Sequence, residues 1–407
     1  MALTRLYLLA SLLATAISFR AAHATIPEGS AQELADDDFV VAISTASSRL
    51  VLAQGTRAYR AGIRTFIMNS NETEIPFLNK VYAKYRETYE YFPDEEDPDP
   101  KRWHAKNPGD FRAAMAPFAA HRHFGNTYKW MLYGDDDTLF FMRGVQQLLS
   151  NFDPELPLAL SDNLWYETGH PRLESFRCLP CGFNTSNMPA AQTDTGYTPR
   201  AACPYCTRKD ACPPSKPSCA ITGAHGGAGM IFSVGLMRQL DLSYDAALAC
   251  MNDLRHCSGG DCLVSQCLWR AGYGFTDPGF SLQYTQPYDH VLFDNMEARW
   301  FLKSPIESIT MGNCGPLCRN VIQHAVSYHV RGKSFPSFAK AAAFMYGLTE
   351  SYGAAIEFLA LQADRGSRGV AAAVGGEEEG GEGGAGGGTN GDGLWEAEEE
   401  EGKGTDL

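Results

Sequence analysis

An acidic triplet inside a hydrophobic segment constrains this chain more than any other feature of its sequence. Residues 129–141 read KWMLYGDDDTLFF, so three consecutive aspartates, Asp135, Asp136 and Asp137, lie between two stretches that favour burial. Acidic runs usually lie in solvated turns, where water and salt screen their repulsion. Here the hydrophobic flanks hold the carboxylates near the core, and we expect a cation beside them to compensate their charge.

Size and composition are those of a large globular domain with an acidic tail. The chain has 407 residues, of which 44% are hydrophobic, enough to build a sizeable core. Residues 374–407 hold nine Glu and two Asp against one Lys, a local charge of −10. The whole chain has a net charge of −14, so the remaining residues carry only −4. The sequence has no basic stripe or arginine-rich tract, which argues against nucleic acid as a partner.

The N-terminus has the pattern of a secretory signal. Arg5 precedes a 14-residue apolar run, and Ala22-His23-Ala24 is a small-x-small cleavage pattern. A helix of that length covers about 21 Å, less than the roughly 30 Å of a hydrocarbon core. The pattern favours a cleaved signal peptide at residues 1–24, followed by a linker at 25–38. A type II signal-anchor is the alternative, and only then would the protein be attached to a membrane.

Cysteine usage points to the same compartment. All twelve cysteines lie between residues 178 and 318, and their number is even, which predicts disulfides in an oxidising lumen. The alternative is zinc, because Cys178-x-x-Cys181 and Cys203-x-x-Cys206 are separated by 21 residues, slightly more than in a zinc ribbon. Two glycosylation sequons, at Asn71 and Asn184, agree with the secretory pathway, either the Golgi lumen or secretion.

The first half of the chain alternates strand and helix patterns. Residues 39–45 (FVVAIST) and 64–70 (RTFIMNS) are typical of buried strands, and residues 47–62 between them have helical spacing that Gly62 ends. This predicts a βαβ unit and an α/β sheet. Further elements are predicted in the order helix, helix, strand, helix, at residues 77–91, 110–124, 129–133 and 142–152. The triplet would then end a strand, at the edge where such sheets bind ligands.

The second half begins with an irregular region. Residues 175–220 are rich in Cys, Pro, Thr and Ser without periodicity, which predicts a disulfide-held loop insertion. A short strand is predicted before this region, at residues 156–160. After it we expect a strand at 226–233, helices at 234–240, 244–257 and 261–272, and a helical extension at 341–370. The chain ends in a Gly/Glu-rich tail at 371–407 that is predicted to be disordered.

The triplet itself suits a metal ion. On an extended strand alternate side chains share a face, so Asp135 and Asp137 point together while Asp136 points away. Two carboxylates on one face suit Mg²⁺ or Mn²⁺, completed by water and the phosphates of a nucleotide diphosphate. The alternative is a solvated turn in which Asp136 or Asp137 caps the next helix.

Four segments in the same order resemble fringe-like glycosyltransferases, and most closely their plant and algal fringe-related group. They are WMLYGDDDTLFF, HGGAGMIFS, GGDCLVSQCLWRAGYGFTDPGF and VSYHVRGKSFPSF, and with VVAISTASSR and RTFIMNS the similarity spans residues 39–338. The resemblance implies a GT-A fold, Rossmann-like and nucleotide-sugar-binding, over residues 39–340 with the Cys-rich insertion. It also implies a hexosyltransferase that inverts on transfer from a UDP-sugar to a glycan or glycoprotein, commonly as a β-1,3 linkage.

The resemblance also implies roles for single residues. Asp135 and Asp137 would hold Mn²⁺ (or Mg²⁺) against the UDP diphosphate, with His329 as the third metal ligand. Without the family, a lone histidine near a strand is more often structural. Relatives often carry a second histidine at the next position, where this chain has Val330.

Other residues would line the donor and acceptor cleft or act as the base. Asp136, Gly227 and Gly229 would contact the nucleotide-sugar, and a glycine run lets backbone approach a ligand closely. Asp261 resembles the general base, although relatives usually have an acidic pair where this chain has Gly260 and Asp261. The alternative for Asp261 is a helix-start residue, in the pattern Ser258-x-x-Asp261.

Two other classes of protein remain open at this point. One is a secreted, disulfide-stapled binding protein that keeps a glycosyltransferase fold without turnover. The other is a zinc-ribbon interaction protein, which rests on the two Cys-x-x-Cys pairs alone. The co-occurrence of the triplet with Asp261 and His329 favours the enzyme, because a binding module needs none of this combination.

Overall fold

The computed structural model describes the chain in eleven ranges between residues 33 and 329. The described residues are 33–94, 109–166, 176–180, 199–215, 219, 221–240, 246–247, 249–250, 259–278, 293–294 and 326–329. The predictions for the signal segment, Asn184, the C-terminal extension and the tail fall outside these ranges. No helix in the described ranges is both long and apolar enough to cross a bilayer.

The described elements are strands and helices that follow one another along the chain, mostly in alternation as far as residue 130 and with several strands in succession after that. The strands are β1 (Phe39–Thr45), β2 (Arg64–Asn69), β3 (Glu87–Tyr91), β4 (Trp130–Asp135), β5 (Thr138–Phe140), β6 (Ala159–Leu160), β7 (Leu164–Tyr166), β8 (Arg177–Leu179), β9 (Pro199–Ala201), β10 (Thr222–Ala224), β11 (Met230–Ser233), β12 (Phe293–Asp294) and β13 (Ser327–His329). The α-helices are α1 (Leu50–Gly55), α2 (Arg57–Arg60), α3 (Ile75–Tyr82), α4 (Asp110–Phe124), α5 (Met142–Leu149), α6 (Arg208–Ala211), α7 (Val234–Gln239) and α8 (Gly260–Arg270).

A six-stranded sheet in the order β3-β2-β1-β4-β11-β6 forms the centre of the fold. The four strands β3, β2, β1 and β4 are parallel, and β11 runs antiparallel to both of its neighbours. The chain moves from β1 outward through β2 to β3, then returns to place β4 on the other side of β1. In such sheets ligands bind at the carboxyl ends of the two strands where the order reverses, here β1 and β4. The predicted α/β class is therefore confirmed, with a parallel-rich mixed sheet.

Helices cover both faces of this sheet, and successive side chains of its strands point alternately toward one face and the other. In β1, Val40 and Ala42 belong to the hydrophobic cluster that includes residues of α4 and α8. Val41 and Ile43 point the other way, into the cluster that includes residues of α5. Because both faces are buried, the central strands read as nearly continuous hydrophobic runs, which is why they are visible in the sequence.

The helix predicted at residues 77–91 is wrong in its second half. The helix α3 ends at Tyr82, a 3₁₀ turn follows, and Arg86 adopts a left-handed conformation with φ 60°. Residues 87–91 instead form β3, which pairs in parallel with β2 and closes that edge of the sheet. Thr88 and the two tyrosines favour a strand, but the interspersed glutamates hid the period-two pattern.

The Cys-rich insertion contains more regular structure than predicted. Its described parts form the parallel pair β8 and β9 and the short helix α6. Disulfides join Cys212 to Cys219 and Cys250 to Cys267, and Cys203 is also disulfide-bonded. The prediction of disulfides is confirmed. The zinc-ribbon reading is wrong, because Cys203 cannot supply a thiolate to zinc while it is bonded to another sulfur.

A buried ion network fastens β3 to the helices that follow β1. The Glu87 carboxylate accepts hydrogen bonds from Arg60 at 2.6 Å, from Arg57 at 2.5 and 2.7 Å, and from the Tyr89 hydroxyl at 2.7 Å. The side chains of Arg60 and Glu87 are 1% and 0% exposed. Burial would raise the pKa of Glu87, but Arg57, Arg60 and Tyr89 together hold it below its usual value.

Glu87→Ala should destabilise the fold by about 3–5 kcal/mol, because it leaves Arg60 as a buried charge without its carboxylate. Glu90→Ala is the matched control on the same strand, since its partner Arg122 is exposed and the pair is worth less than about 1 kcal/mol. Denaturant unfolding of the two variants measures both values. Equal, small losses in the two variants would contradict the role given to the Arg60–Glu87 pair.

Candidate metal centre and active site

The aspartate triplet lies where β4 ends at the switch point. Asp135 is the last residue of β4, Asp136 and Asp137 form a tight turn, and β5 starts at Thr138. The Thr138 hydroxyl accepts a hydrogen bond from the Asp135 backbone N–H and donates one to the Gly227 carbonyl, both at 2.9 Å. The triplet turn is thereby tied to the glycine run.

Three predicted metal ligands converge at this turn. The strand β13 pairs antiparallel with β5 and sets His329 opposite Thr138. The donor atoms of Asp135, Asp137 and His329 lie within 4.8 Å of one another, and His329 Nε2 is 3.1 Å from Asp137 Oδ1. Among the described residues no other group of three such side chains could hold an ion. The expected pairing of Asp135 with Asp137 is thus observed, although a turn produces it and not an extended strand.

The chemistry of these donors fits a divalent cation. Two carboxylates and an imidazole suit Mn²⁺, which accepts both oxygen and nitrogen ligands, better than Mg²⁺, which prefers oxygen alone. Burial raises the pKa of Asp135 to about 7, and the negative charge of Asp137 adds to this. Burial acts on Asp137 in the same sense and is the largest single effect, but its interactions with His329 and Arg49 together outweigh burial, and the pKa of Asp137 is lowered. Asp135 is therefore the carboxylate that most lacks a positive neighbour.

Asp136 has a different partner, which the sequence did not reveal. Arg49 Nε lies 3.1 and 3.0 Å from the two Asp136 carboxylate oxygens, its Nη2 is 2.5 Å from Oδ1, and the Thr45 hydroxyl donates to Oδ2 at 2.9 Å. Arg49 also reaches Asp137 at 3.3 Å. The cation beside the middle aspartate is thus a guanidinium, and neither Asp136 nor Asp137 serves as the N-cap of the following helix, whose N-cap is Phe141.

The position of Arg49 follows from the sheet. The register pairs Ser44 of β1 with Asp135 of β4, so the residues after β1 lie beside the triplet. The only sequence signal was a single arginine in the SSR segment after a predicted strand. A contact of Asp136 with a nucleotide stays a prediction. In the structure its two carboxylate oxygens accept hydrogen bonds from Arg49 and Thr45.

The glycine run leaves no room for side chains beside the metal ligands. A Cβ on Gly227 would lie 2.1 Å from His329 Nδ1. A Cβ on Gly226 would lie 2.9 Å from the Asp261 Cβ and 3.4 Å from Asp135 Oδ1. Gly229 has φ +82°, a conformation that favours glycine. The close approach places Gly227 in the site, while its contact with a donor, like that of Gly229, stays a prediction.

Asp261 borders Gly226, the residue next to Gly227, which borders His329. Asp261 is the second residue of α8, its Oδ2 accepts the Gly226 N–H at 2.9 Å, and its Oδ1 accepts the Cys262 N–H at 2.7 Å. The N-cap of α8 is Gly259 with φ 97°, and no side chain caps it. The N-cap is therefore not Ser258, but Asp261 does lie in the first turn of α8, as the helix-start alternative expects. Its carboxylate also links α8 to the glycine run, beside Asp135.

Comparisons with known proteins add little beyond these observations. No protein-family model matches the chain, and no curated protein does. Among solved structures, a glycosyltransferase involved in the glycosylation of the major capsid of PBCV-1 is 10% identical with a TM-score of 0.30, and the match covers 75% of this chain and 98% of that one. Core-mannan synthase A from Aspergillus fumigatus, in its Mn/GDP form, is 12% identical with a TM-score of 0.31, and that match covers 61% and 76%. Similarity this low supports no argument about function, and the fringe-like family remains an expectation from the motifs.

Gly227→Ala should weaken Mn²⁺ binding at least about tenfold, because the new methyl group displaces the His329 ring from Asp137. The fold should persist, since the change is confined to the edge of the sheet. Gly274→Ala is the control, because its Cβ would make ordinary contacts at 3.4 Å or more. Calorimetric titration with Mn²⁺ and a melting curve measure the two properties. An unchanged Mn²⁺ affinity in Gly227→Ala would show that His329 is not a ligand.

Asp135→Asn should change how stability depends on pH in metal-free buffer. The folded-state pKa of Asp135 is raised from 3.8 to about 7, so its favourable contribution is fully present below pH 3.8 and is lost as the pH rises through 7. Asparagine cannot ionise, and the melting temperature of the variant relative to wild type should therefore rise between about pH 4 and pH 7 and then level off. Parallel profiles in EDTA would contradict the raised pKa.

Proposed function

We propose that this protein is a metal-dependent glycosyltransferase that moves a hexosyl group from a UDP-sugar to a hydroxyl of a glycan or glycoprotein. The observation that carries the proposal is the convergence of Asp135 at the end of β4, Asp137 in the turn that follows and His329 of β13, whose donor atoms lie within 4.8 Å of one another. The four ordered motifs support a GT-A fold and a β-1,3 linkage by their resemblance to fringe-like enzymes. The disulfides support a location in the secretory pathway, the Golgi lumen or outside the cell.

The chain supplies a binding site for the leaving group. Asp135, Asp137 and His329 would hold Mn²⁺ or Mg²⁺, which when bound offsets the negative charge that develops on the departing nucleoside diphosphate. Gly227 allows His329 to stay close to Asp137, and Arg49 keeps Asp136 in one orientation. In this proposal Asp136, Gly227 and Gly229 line the nucleotide-sugar. The metal ligands are then held in place before the donor arrives.

Asp261 is the proposed general base. A Cβ on Gly226 would lie 2.9 Å from the Asp261 Cβ and 3.4 Å from Asp135 Oδ1, so both aspartates border Gly226, which supports a shared site. A sugar bound between them would expose its anomeric carbon to an acceptor hydroxyl whose proton passes to the Asp261 carboxylate. The bonds from Gly226 and Cys262 orient that carboxylate. A single displacement from this side inverts the anomeric centre, from an α-linked donor to a β-linked product.

One observation favours a second candidate. The Asp261 carboxylate accepts hydrogen bonds from two backbone N–H groups, and these bonds also suit a purely structural link between α8 and the glycine run. In that case the protein would be a disulfide-stapled binding protein that keeps the fold and the metal centre without turnover. The two candidates differ in whether Asp261 takes the proton of an acceptor hydroxyl. The transfer rate of an Asp261 variant therefore separates them.

The full chain, secreted from a eukaryotic host, should release UDP from at least one member of a UDP-sugar panel only when Mn²⁺ or Mg²⁺ is present. Asp137→Asn should reduce this release at least about 10²-fold with an unchanged melting curve, because it weakens the metal site and opens no cavity. Asp153→Asn, an exposed aspartate outside the site, is the matched control. GDP-sugars belong in the panel, because release from these alone would refute the UDP assignment.

Asp261→Asn should keep Mn²⁺ and UDP binding and lower transfer by roughly 10² to 10⁴, the usual effect of losing a general base. Transfer within a few fold of wild type would remove Asp261 from the mechanism. The absence of any metal-dependent turnover in wild type, together with intact Mn²⁺ and UDP binding, would favour the binding protein. NMR of the first product tests inversion, since an α-linkage from an α-donor contradicts a single displacement.

A further inference from the structure

Two buried thiols in the Cys-rich insertion lie side by side. Cys178 of β8 and Cys206, which follows β9, are each 1% exposed and belong to the same buried cluster. They are the free cysteines of the described residues, and their side chains are hydrogen-bonded to each other. Burial and this neighbouring thiol raise the pKa of Cys206 well above its usual value. The metal centre does not use either sulfur.

The backbone holds both cysteines against one segment. The Cys178 carbonyl accepts the Asp277 N–H at 2.7 Å, and the Cys206 carbonyl accepts the Gly274 N–H at 3.1 Å. Arg177, next to Cys178, forms an ion pair with the buried Asp277 at 2.6 Å. The segment that contains Gly274 and Asp277 follows α8, the helix that carries Asp261. Because the two cysteines are anchored to the same short segment, their sulfurs remain neighbours.

The other described cysteines show what becomes of thiols in this protein. Within the described ranges six cysteines are disulfide-bonded, namely Cys203, Cys212, Cys219, Cys250, Cys262 and Cys267. Two adjacent thiols in a chain whose other described cysteines are all oxidised are exposed to the same oxidant before they are buried. A buried and contacting pair is therefore expected to be oxidised during folding.

We infer that Cys178 and Cys206 form a further disulfide in the mature protein, one that fastens β8 to the segment after β9. The two thiols give up two protons and two electrons as the S–S bond forms. A disulfide of an exchange partner accepts the electrons and leaves as two thiols. The crosslink closes a loop of 29 residues counted from Cys178 through Cys206. It would stabilise the insertion by restricting the unfolded chain, and so hold the insertion on the segment that follows the Asp261 helix.

Peptide mapping of the secreted full chain tests the inference. The protein is unfolded and alkylated without reductant, then digested with trypsin and chymotrypsin. Cleavage after Tyr205 separates Cys206 from Cys203, and fragment ions distinguish Cys178 from Cys181 on the partner peptide. We expect a Cys178–Cys206 crosslink that disappears on reduction. The Cys212–Cys219 crosslink is the internal control that the sample stayed oxidised.

Three results would overturn the inference in a sample whose Cys212–Cys219 crosslink is intact. They are alkylation of both Cys178 and Cys206, a crosslink of either to another cysteine, and one bound zinc per chain by metal analysis. As a second measurement, the double variant Cys178→Ala/Cys206→Ala should lower the melting temperature by roughly 5–10 °C. The Cys212–Cys219 disulfide closes a much shorter loop, so the double variant Cys212→Ala/Cys219→Ala should lower the melting temperature less. An equal or smaller loss in the first variant would also count against the crosslink.

Discussion

The repulsion among carboxylates at the end of β4 is the constraint on which the rest of the site depends. Three consecutive aspartates and Asp261 gather at one edge of a largely apolar sheet, and each has a different form of compensation. Asp136 has the Arg49 guanidinium, Asp137 has His329, and Asp261 has two backbone N–H groups. Asp135 has the least, and its pKa of about 7 records the deficit. A divalent cation held by Asp135, Asp137 and His329 would supply the missing positive charge.

The surrounding backbone is shaped to bring these compensating groups together. His329 lies 192 residues from Asp137 along the chain and meets it only because β13 pairs with β5. Gly226 borders Asp261 and Gly227 borders His329, where no side chain fits, and Thr138 ties that run to the triplet. The site therefore draws on β4, β5, β13, α8 and the glycine run at once. Loss of any of these contacts would leave a buried carboxylate without its partner, which is costly.

Predictions from the sequence succeeded where burial on both faces imposed continuous apolar runs, and failed where it did not. The strands β1, β2 and β4 were predicted from their nearly continuous apolar runs. The helices α4 and α8 were predicted from apolar residues at helical spacing. The edge strand β3 was predicted as helix, since Glu87, which belongs to the Arg60 network, and Glu90, which pairs with Arg122, interrupt the apolar pattern. The insertion was predicted as loop because its strands are three residues each, too short to show a period.

Apart from His329, which the resemblance to fringe-like enzymes indicated, the sequence by itself determined the α/β class, the position of the triplet at the end of a strand, the disulfide chemistry and the choice of Asp135 and Asp137. Each of these depends on residue type and local order, which a linear pattern carries. Only the tertiary structure decided that Arg49 neutralises Asp136, and that Asp261 is held by Gly226 and not by a helix cap. These partners are set by which strands are neighbours and where the chain turns. Arg49 and Asp136 are 87 residues apart and Gly226 and Asp261 are 35 apart, so their hydrogen bonds can be identified only from the three-dimensional arrangement.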